Sequence, residues 1–174
     1  MFVGATALGR PSEDNLGLIM ENYTIKEARI DDLREAAILV WEVFLEFEGM
    51  DYPEEGLASF RSGLEYETMK DRLLKDGQKM WLCCDGDRII GIIRTRPPCH
   101  INLLFVRKEY HRKGVARALF DVMKEYYKQV DPYSEVTVYS SRYAVEVYRR
   151  LGFVETGTEQ MRDGIRYTPM KCIL

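Results

Sequence analysis

Residues Tyr110–Leu119 read YHRKGVARAL. Arg112 and Lys113 run into Gly114, and an apolar stripe at helical spacing follows through Ala116, Leu119, Phe120, Met123 and Tyr127. Just upstream, HINLLFV (His100–Val106) is almost continuously apolar, the pattern of a strand buried on both faces. A strand that feeds a glycine turn and then a helix leaves several backbone N–H groups unpaired at the helix start. They point the same way and carry the positive end of the helix dipole, which suits a phosphate. Gly114 lets the backbone approach such a ligand without an intervening Cβ. Arg107, Lys108, Arg112, Lys113 and Arg117 crowd the same neighbourhood, offset by Glu109. The single glycine excludes a P-loop, and a dinucleotide fingerprint would need three. Local chemistry therefore leaves two readings open, a phosphate site whose cations screen the ligand or a solvated basic loop.

Outward from this turn, the chain reads as mixed α/β. YTIKEARI (Tyr23–Ile30) is a strand. Asp32 with Glu35 resembles a capping box before a helix whose stripe is Leu33, Ala37, Val40, Phe44 and Phe47. Gly49 ends that helix, and a second helical region runs from Glu54 to Lys75, interrupted near Gly63. KMWLCC and RIIGIIRT flank Asp85-Gly86-Asp87 as a hairpin. Pro97-Pro98 separates it from HINLLFV. Asp131-Pro132 stops the helix after Gly114, and EVTVYS (Glu135–Ser140) is a further strand. Ser141 is placed to cap a short helix through Arg150, with Ala144, Tyr148 and Leu151 on one face and Gly152 as its left-handed end. A hairpin of Val154–Met161 and Ile165–Ile173, turning at Asp163-Gly164, closes the chain.

The second stretch that matters is SSRYAVEVYRRLGF, Ser140–Phe153. Together with HRKGVA (His111–Ala116) it resembles the GNAT superfamily of acyl-CoA-dependent N-acetyltransferases. That family's phosphate motif is [QR]-x-x-G-x-[GA]; Gly114 and Ala116 match, and His111 stands in the Gln/Arg slot. The family's later motif, N-x-x-A-x-x-x-Y-x-x-L-G-F, is matched except that Ser141 replaces Asn. The resemblance extends from about Tyr23 to the C-terminus. It implies one domain over 21–174 with a mostly antiparallel central sheet, a splayed parallel strand pair and flanking helices. Residues 1–20 are expected to be a flexible extension, with Met20 a second candidate start.

By the resemblance, HINLLFV and EVTVYS are the splayed pair. Backbone groups of Leu104, Phe105 and Val106 pair with pantetheine amides, and His111, Arg112, Lys113, Gly114, Val115 and Ala116 hold the pyrophosphate of acetyl-CoA. Ser141 and Tyr148 complete the coenzyme site, and Tyr148 is the acid for the departing thiolate. From spacing alone, Tyr148 also reads as a core tyrosine sharing a face with Ala144 and Leu151. An alkylamine with a pKa of about 10.4 arrives protonated, so direct attack in a ternary complex needs a base. HINLLFV carries no acid; His100, on one face with Asn102, is the candidate base there, and a structural histidine is the other reading. A non-catalytic acyl-CoA-binding sensor of the same fold is the alternative to an enzyme.

EFEGMDYPEE (Glu46–Glu55) holds five acids and no cation. In the family this connection borders the acceptor pocket. Tyr52, Glu54 and Glu55 would then draw a cationic amine such as a polyamine, a lysine side chain or an aminoglycoside; a solvated acidic loop is the other reading. The family's final hairpin covers the acceptor or builds a homodimer, which brings Gln160, Arg162 and Arg166 forward as substrate contacts or as ordinary surface residues.

Composition narrows the rest. The chain has 174 residues, 46% hydrophobic and 30% charged, with net charge −3, so no global field favours nucleic acid. No apolar run approaches the ~20 residues of a membrane-spanning helix. Four cysteines fit neither a zinc pattern nor a redox pair, which suggests reduced thiols in a cytoplasmic protein, and two histidines argue against a multi-histidine metal site.

Overall fold

The structure, a computed structural model, describes residues 23–130, 135–162 and 165–174. The expected extension at 1–20, the Asp131-Pro132 stop and the Asp163-Gly164 turn lie outside the described residues. Strand β1 (Thr24–Glu27) leads into α1 (Leu33–Phe47), followed by α2 (Glu54–Ser62) and α3 (Tyr66–Leu74), which part at Gly63. Strands β2 (Lys79–Asp85), β3 (Arg88–Arg96) and β4 (His100–Val106) form a meander. After the glycine turn come α4 (Val115–Val130), β5 (Glu135–Ser140) and α5 (Val145–Leu151). The chain ends with β6 (Val154–Glu155), β7 (Gln160–Arg162) and β8 (Ile165–Ile173).

The sheet order is β1-β2-β3-β4-β5-β8-β6, with β7 on β8. Neighbours are antiparallel except β4 and β5, which are parallel. Two apolar layers sandwich this sheet. One gathers Ile90, Ile93, Val138 and the inner stripe of α4, including Leu119, Phe120 and Met123. The other gathers Leu82, Ile92, Leu103 and the inner stripe of α1, including Leu39, Val40 and Phe44. Adjacent Cys83 and Cys84 fall into opposite layers, as strand alternation requires, and burial raises both thiols, Cys83 to about 12.

Gly91 explains how closely α4 lies on β3. A Cβ there would sit 2.9 Å from Val115 Cγ1 and 3.2 Å from Leu119 Cδ1. Gly91→Ala should therefore cost about 1–3 kcal/mol of stability in urea titration. An unchanged midpoint would mean the helix yields without cost.

Four expectations are corrected. The doubly buried strand is β3, while β4 leaves Asn102 exposed and Leu104 and Phe105 partly covered. Glu35 is not part of a capping box: a bulge opposite Cys83/Cys84 leaves the Ile89 N–H to donate to Glu35 Oε1 at 2.9 Å. Asp32 instead accepts from the Arg29 N–H (2.8 Å) and Lys26 (2.7 Å). The helix after Ser141 starts only at Val145, because Ser141 closes a turn first, its Oγ accepting the Ala144 N–H at 3.3 Å. The strand expected over Val154–Met161 is split, β6 pairing with Lys171 and Met170 and β7 with Tyr167 through Ile165.

Candidate active site

β4 and β5 pair at two positions, His100↔Thr137 and Ile101↔Val138. β5 meanwhile stays paired with β8 from Glu135↔Ile173 to Ser140↔Thr168. On the other side Arg94 pairs with Leu103 and Thr95 with Ile101, so Asn102 has no partner and β4 is bulged there. A bulge bends its strand, and beyond it β4 follows β3 while β5 follows β8. The sheet opens between them along Asn102–Val106.

The opening leads to the glycine turn. Arg112 (φ 58°) and Gly114 (φ 84°) both take left-handed backbone, and Val115 begins α4. The first bond of the helix runs from Ala118 N–H to Gly114 O at 2.9 Å, so the N–H groups of Val115, Ala116 and Arg117 have no intrahelical acceptor. They face a cavity of about 800 Å³ whose wall includes Leu104, Val106, Gly114, Val115 and Ala116 on one side and Tyr148 and Leu151 of α5 on the other. Phe47, at the end of α1, stacks on Tyr143 (centroids 4.9 Å) and approaches His111 (5.1 Å), so an aromatic row borders the cavity.

Most of the expected cations are held by protein. Arg107 donates to Ile89 O (3.0 Å) and pairs with Glu42 (2.9 Å), Lys108 pairs with Glu46, and Arg117 donates to Arg150 O and Leu151 O at the end of α5. Lys113 lies over the Tyr110 ring at 5.0 Å. These contacts fasten α1, α5 and the turn to one another. Arg107, Lys108 and Arg117 are thus structural clamps, and among the cations of the turn Arg112 reaches the cavity wall without such a clamp. His111 turns its ring inward, Nε2 lying 2.8 Å from the Val106 carbonyl, which ties the turn back to β4.

Tyr148 is buried at 5% exposure and lines the cavity. Burial, reinforced by the nearby Glu48 carboxylate, pushes its hydroxyl pKa up. Glu48 is the carboxylate of this wall, and no sequence motif singles it out. Burial raises its pKa, the Ser141 hydroxyl pulls the other way, and Asp51 adds to the rise. A signal existed: Glu48 directly precedes Gly49, where α1 ends, so it projects from a helix end that faces the turn. Glu54 and Glu55, the pair expected to face the acceptor, stand at the far end of the same acidic run.

Most of the remaining candidates lie away from this wall. His100 sits where β4 and β5 are still paired, its Nδ1 2.8 Å from Thr137 Oγ1 and its ring edge-on to Tyr139. Burial and Arg96 push it down to about 4, and it is not part of the wall that Tyr148 lines. Tyr52 packs edge-on against Phe44 at 4.8 Å, with burial raising its hydroxyl to about 12. Glu54 and Glu55 are exposed in the first turn of α2, a favourable place for acids on any helix, and neither reaches the cavity. Phe105 turns its side chain to the α1 layer, so its backbone alone adjoins the gap. Ser141 stands beside Glu48. Gln160 accepts from the Tyr167 hydroxyl (2.9 Å), Arg166 pairs with Glu159 (3.1 Å), and Arg162 is exposed on β7.

The described helices include none long and apolar enough to cross a membrane. No curated protein matches the chain in sequence. Solved structures share its fold. A GCN5-related N-acetyltransferase from Rhodopseudomonas palustris superposes with a TM-score of 0.75 at 20% identity, over 90% of this chain and 99% of that one. PaiA N-acetyltransferase from Thermoplasma acidophilum, in complex with coenzyme A, gives 0.73 at 18% identity over 87% and 99%. A variant of spermidine N-acetyltransferase SpeG from Vibrio cholerae gives 0.62 at 15% identity over 88% and 94%. A family model described as an acetyltransferase (GNAT) domain matches residues 49–174, the part of the chain that builds the parted strands, the glycine turn and the Tyr148 helix. The chain belongs to the GNAT acetyltransferase family.

Proposed function

We propose that this protein transfers the acetyl group of acetyl-CoA to the nitrogen of a primary amine, with both substrates bound at once. The observation that carries the reading is the joining of two features at one place. The gap between β4 and β5 opens onto a cavity floored by the unpaired N–H groups of α4 and walled by Tyr148 and Glu48.

The residues fit such a donor. Diphosphate suits the N–H groups at Val115–Arg117 and the Arg112 guanidinium. The amides of a pantetheine arm suit the β4 edge at Leu104–Val106, which has no strand partner on the β5 side. The volume falls within the ~300–1,000 Å³ usual for ligand sites. Acetyl-CoA supplies an activated thioester carbonyl there. PaiA was solved with coenzyme A, which supports the same choice for this chain.

Tyr148 keeps its proton on Oη at neutral pH, as any tyrosine with a pKa of about 10 or higher does, and so is available as proton donor to a leaving thiolate. Glu48 receives the proton that the amine nitrogen loses as it attacks, directly or through water. A carboxylate whose pKa is raised toward neutrality is a better base than an exposed one. His100, pushed down to about 4, is poorly matched to that task.

Coenzyme release across a panel of amines and peptides tests the reading. Turnover on at least one amine is expected. Tight acetyl-CoA binding without any turnover would mark a binding module instead. The role of Glu48 has its own test, using a weakly basic amine that stays neutral across the titration. Wild-type kcat/KM should then rise with pH through the raised Glu48 pKa, since the base works deprotonated, and Glu48→Gln should abolish that limb. A limb that survives in the variant removes Glu48 from the role.

A further inference from the structure

On the opposite face of the sheet from α4, β3 carries a buried charge that no ion pair among the described residues neutralises. Ile93 packs toward α4, and Thr95 bonds Tyr127 of that helix at 2.7 Å. Arg94 therefore shares the other face with Ile92, between its register partners Met80 and Leu103. It is 3% exposed, and its Nε and Nη1 have no hydrogen-bond partner. Gln78 Oε1, two residues before Met80, is also buried without a partner. Arg72 of α3, its Nη1 donating to Gly63 O at 3.0 Å, lies near enough to repel Arg94. Arg96 follows on the same face, exposed and opposite His100. Among the described residues no ion pair engages Arg72, Arg94 or Arg96.

Burying a guanidinium without an anion or full hydrogen bonding is costly, and apolar side chains of similar size usually serve stability better. The cost is intelligible if an anion completes the site in the working protein. Burial and the Arg72 charge, which hold Arg94 down at about 9, describe the same deficit. Position says which anion. Arg94 is level with Leu103, immediately beside the Asn102 bulge at which β4 leaves β5. Adjacent strands lie about 4.8 Å apart, so the Arg94 backbone is one strand from the open edge. Leu104 and Val106 point to the α4 layer and the cavity, whereas Leu103 and Phe105 point to the Arg94 face. A donor held on the α4 side would meet, through the gap, an acceptor that lay on the Arg94 side.

We infer that Arg94, with Arg72 and Arg96 beside it, is an anion subsite for the acceptor, so that the amine acetylated here also bears a carboxylate. This rests on the proposed acetyl transfer to an amine. A planar guanidinium meets a carboxylate with two parallel hydrogen bonds, a match that an ammonium lacks.

The test compares free amino acids with their carboxamides as acceptors. Wild-type kcat/KM should favour the carboxylate by about tenfold or more. Arg94→Met should bring the carboxylate down to the level of the carboxamide while acetyl-CoA affinity holds. Equal rates on the two acceptors in wild type, or a preference that survives Arg94→Met, would overturn the subsite. A separate readout needs no turnover: calorimetric binding of N-acetyl amino acids, which carry the carboxylate but no free amine. Binding that is present in wild type and lost in Arg94→Met supports the subsite even if every amine fails as acceptor. Absence of that binding overturns the subsite even if other amines are acetylated. Arg94→Met should also melt at or above the wild-type temperature, since it removes an unpaired buried charge. Should it not fold, Arg94→Lys keeps the charge without the fork and is expected to lose the carboxylate preference and the calorimetric binding.

Discussion

Tyr148→Phe should lower kcat by about 10²–10⁴-fold, the usual worth of a positioned proton donor, while the Kd for acetyl-CoA stays close to wild type. The substitution removes one oxygen and leaves the ring. The ring is what packs, edge-on to Phe153 with centroids 5.2 Å apart, so α5 should keep its place. Stability measured by urea titration should barely change. The two observables separate the two readings that spacing alone leaves open. A core tyrosine without a chemical role would leave kcat intact, and a coenzyme contact without proton transfer would raise Kd instead. The Glu48 charge near the hydroxyl gives a further check. Glu48→Gln removes the carboxylate that helps to raise the Tyr148 pKa, so a phenolate absorbance titration of Tyr148 should move to lower pH in that variant.

Gly114→Asp should weaken acetyl-CoA binding by at least about 100-fold, or roughly 2.7 kcal/mol. Two effects add. A side chain at φ 84° costs on the order of 1–2 kcal/mol, and a free turn that relaxes to escape that cost must be restored before it can bind. A carboxylate also enters the place where N–H groups at the start of α4 await an anion, and so competes with or repels the diphosphate. Gly114→Ala isolates the first effect and should lose about tenfold. Calorimetry on both variants reads the difference, and equal affinity for all three proteins would move the phosphate site away from this turn. Folding should be affected less than binding, because the turn lies at the cavity and not in either apolar layer.

Much of the fold was legible because its signals are local. The helix at Ala116–Tyr127, the hairpin around Gly86 and the left-handed Gly152 each depend on residues a few positions apart. The strand assignments survived for the same reason, and their errors have a common cause. HINLLFV looks like a strand buried on both faces, but its apolar run reflects two surroundings, the shared core up to Ile101 and a partly open gap beyond it. Glu35 looks like a cap because it stands three residues after Asp32. Its actual partner, the Ile89 N–H, is 54 residues away and is free only because β2 and β3 are bulged.

The site divides along the same line. Sequence alone determined that a glycine turn starts a helix after an apolar strand, and that a tyrosine follows on a later helix. Both are properties of contiguous motifs, set by backbone sterics and side-chain periodicity. Tertiary structure decided which charges are left to act. It spends Arg107, Lys108 and Arg117 on α1 and α5, brings Glu48 to Tyr148 across 100 residues of chain, and buries Arg94 with Nε and Nη1 unpartnered among the described residues. The physical reason is that a side chain's charge and proton affinity are set by burial and by its neighbours in space, and those neighbours are chosen by how the strands pair and part.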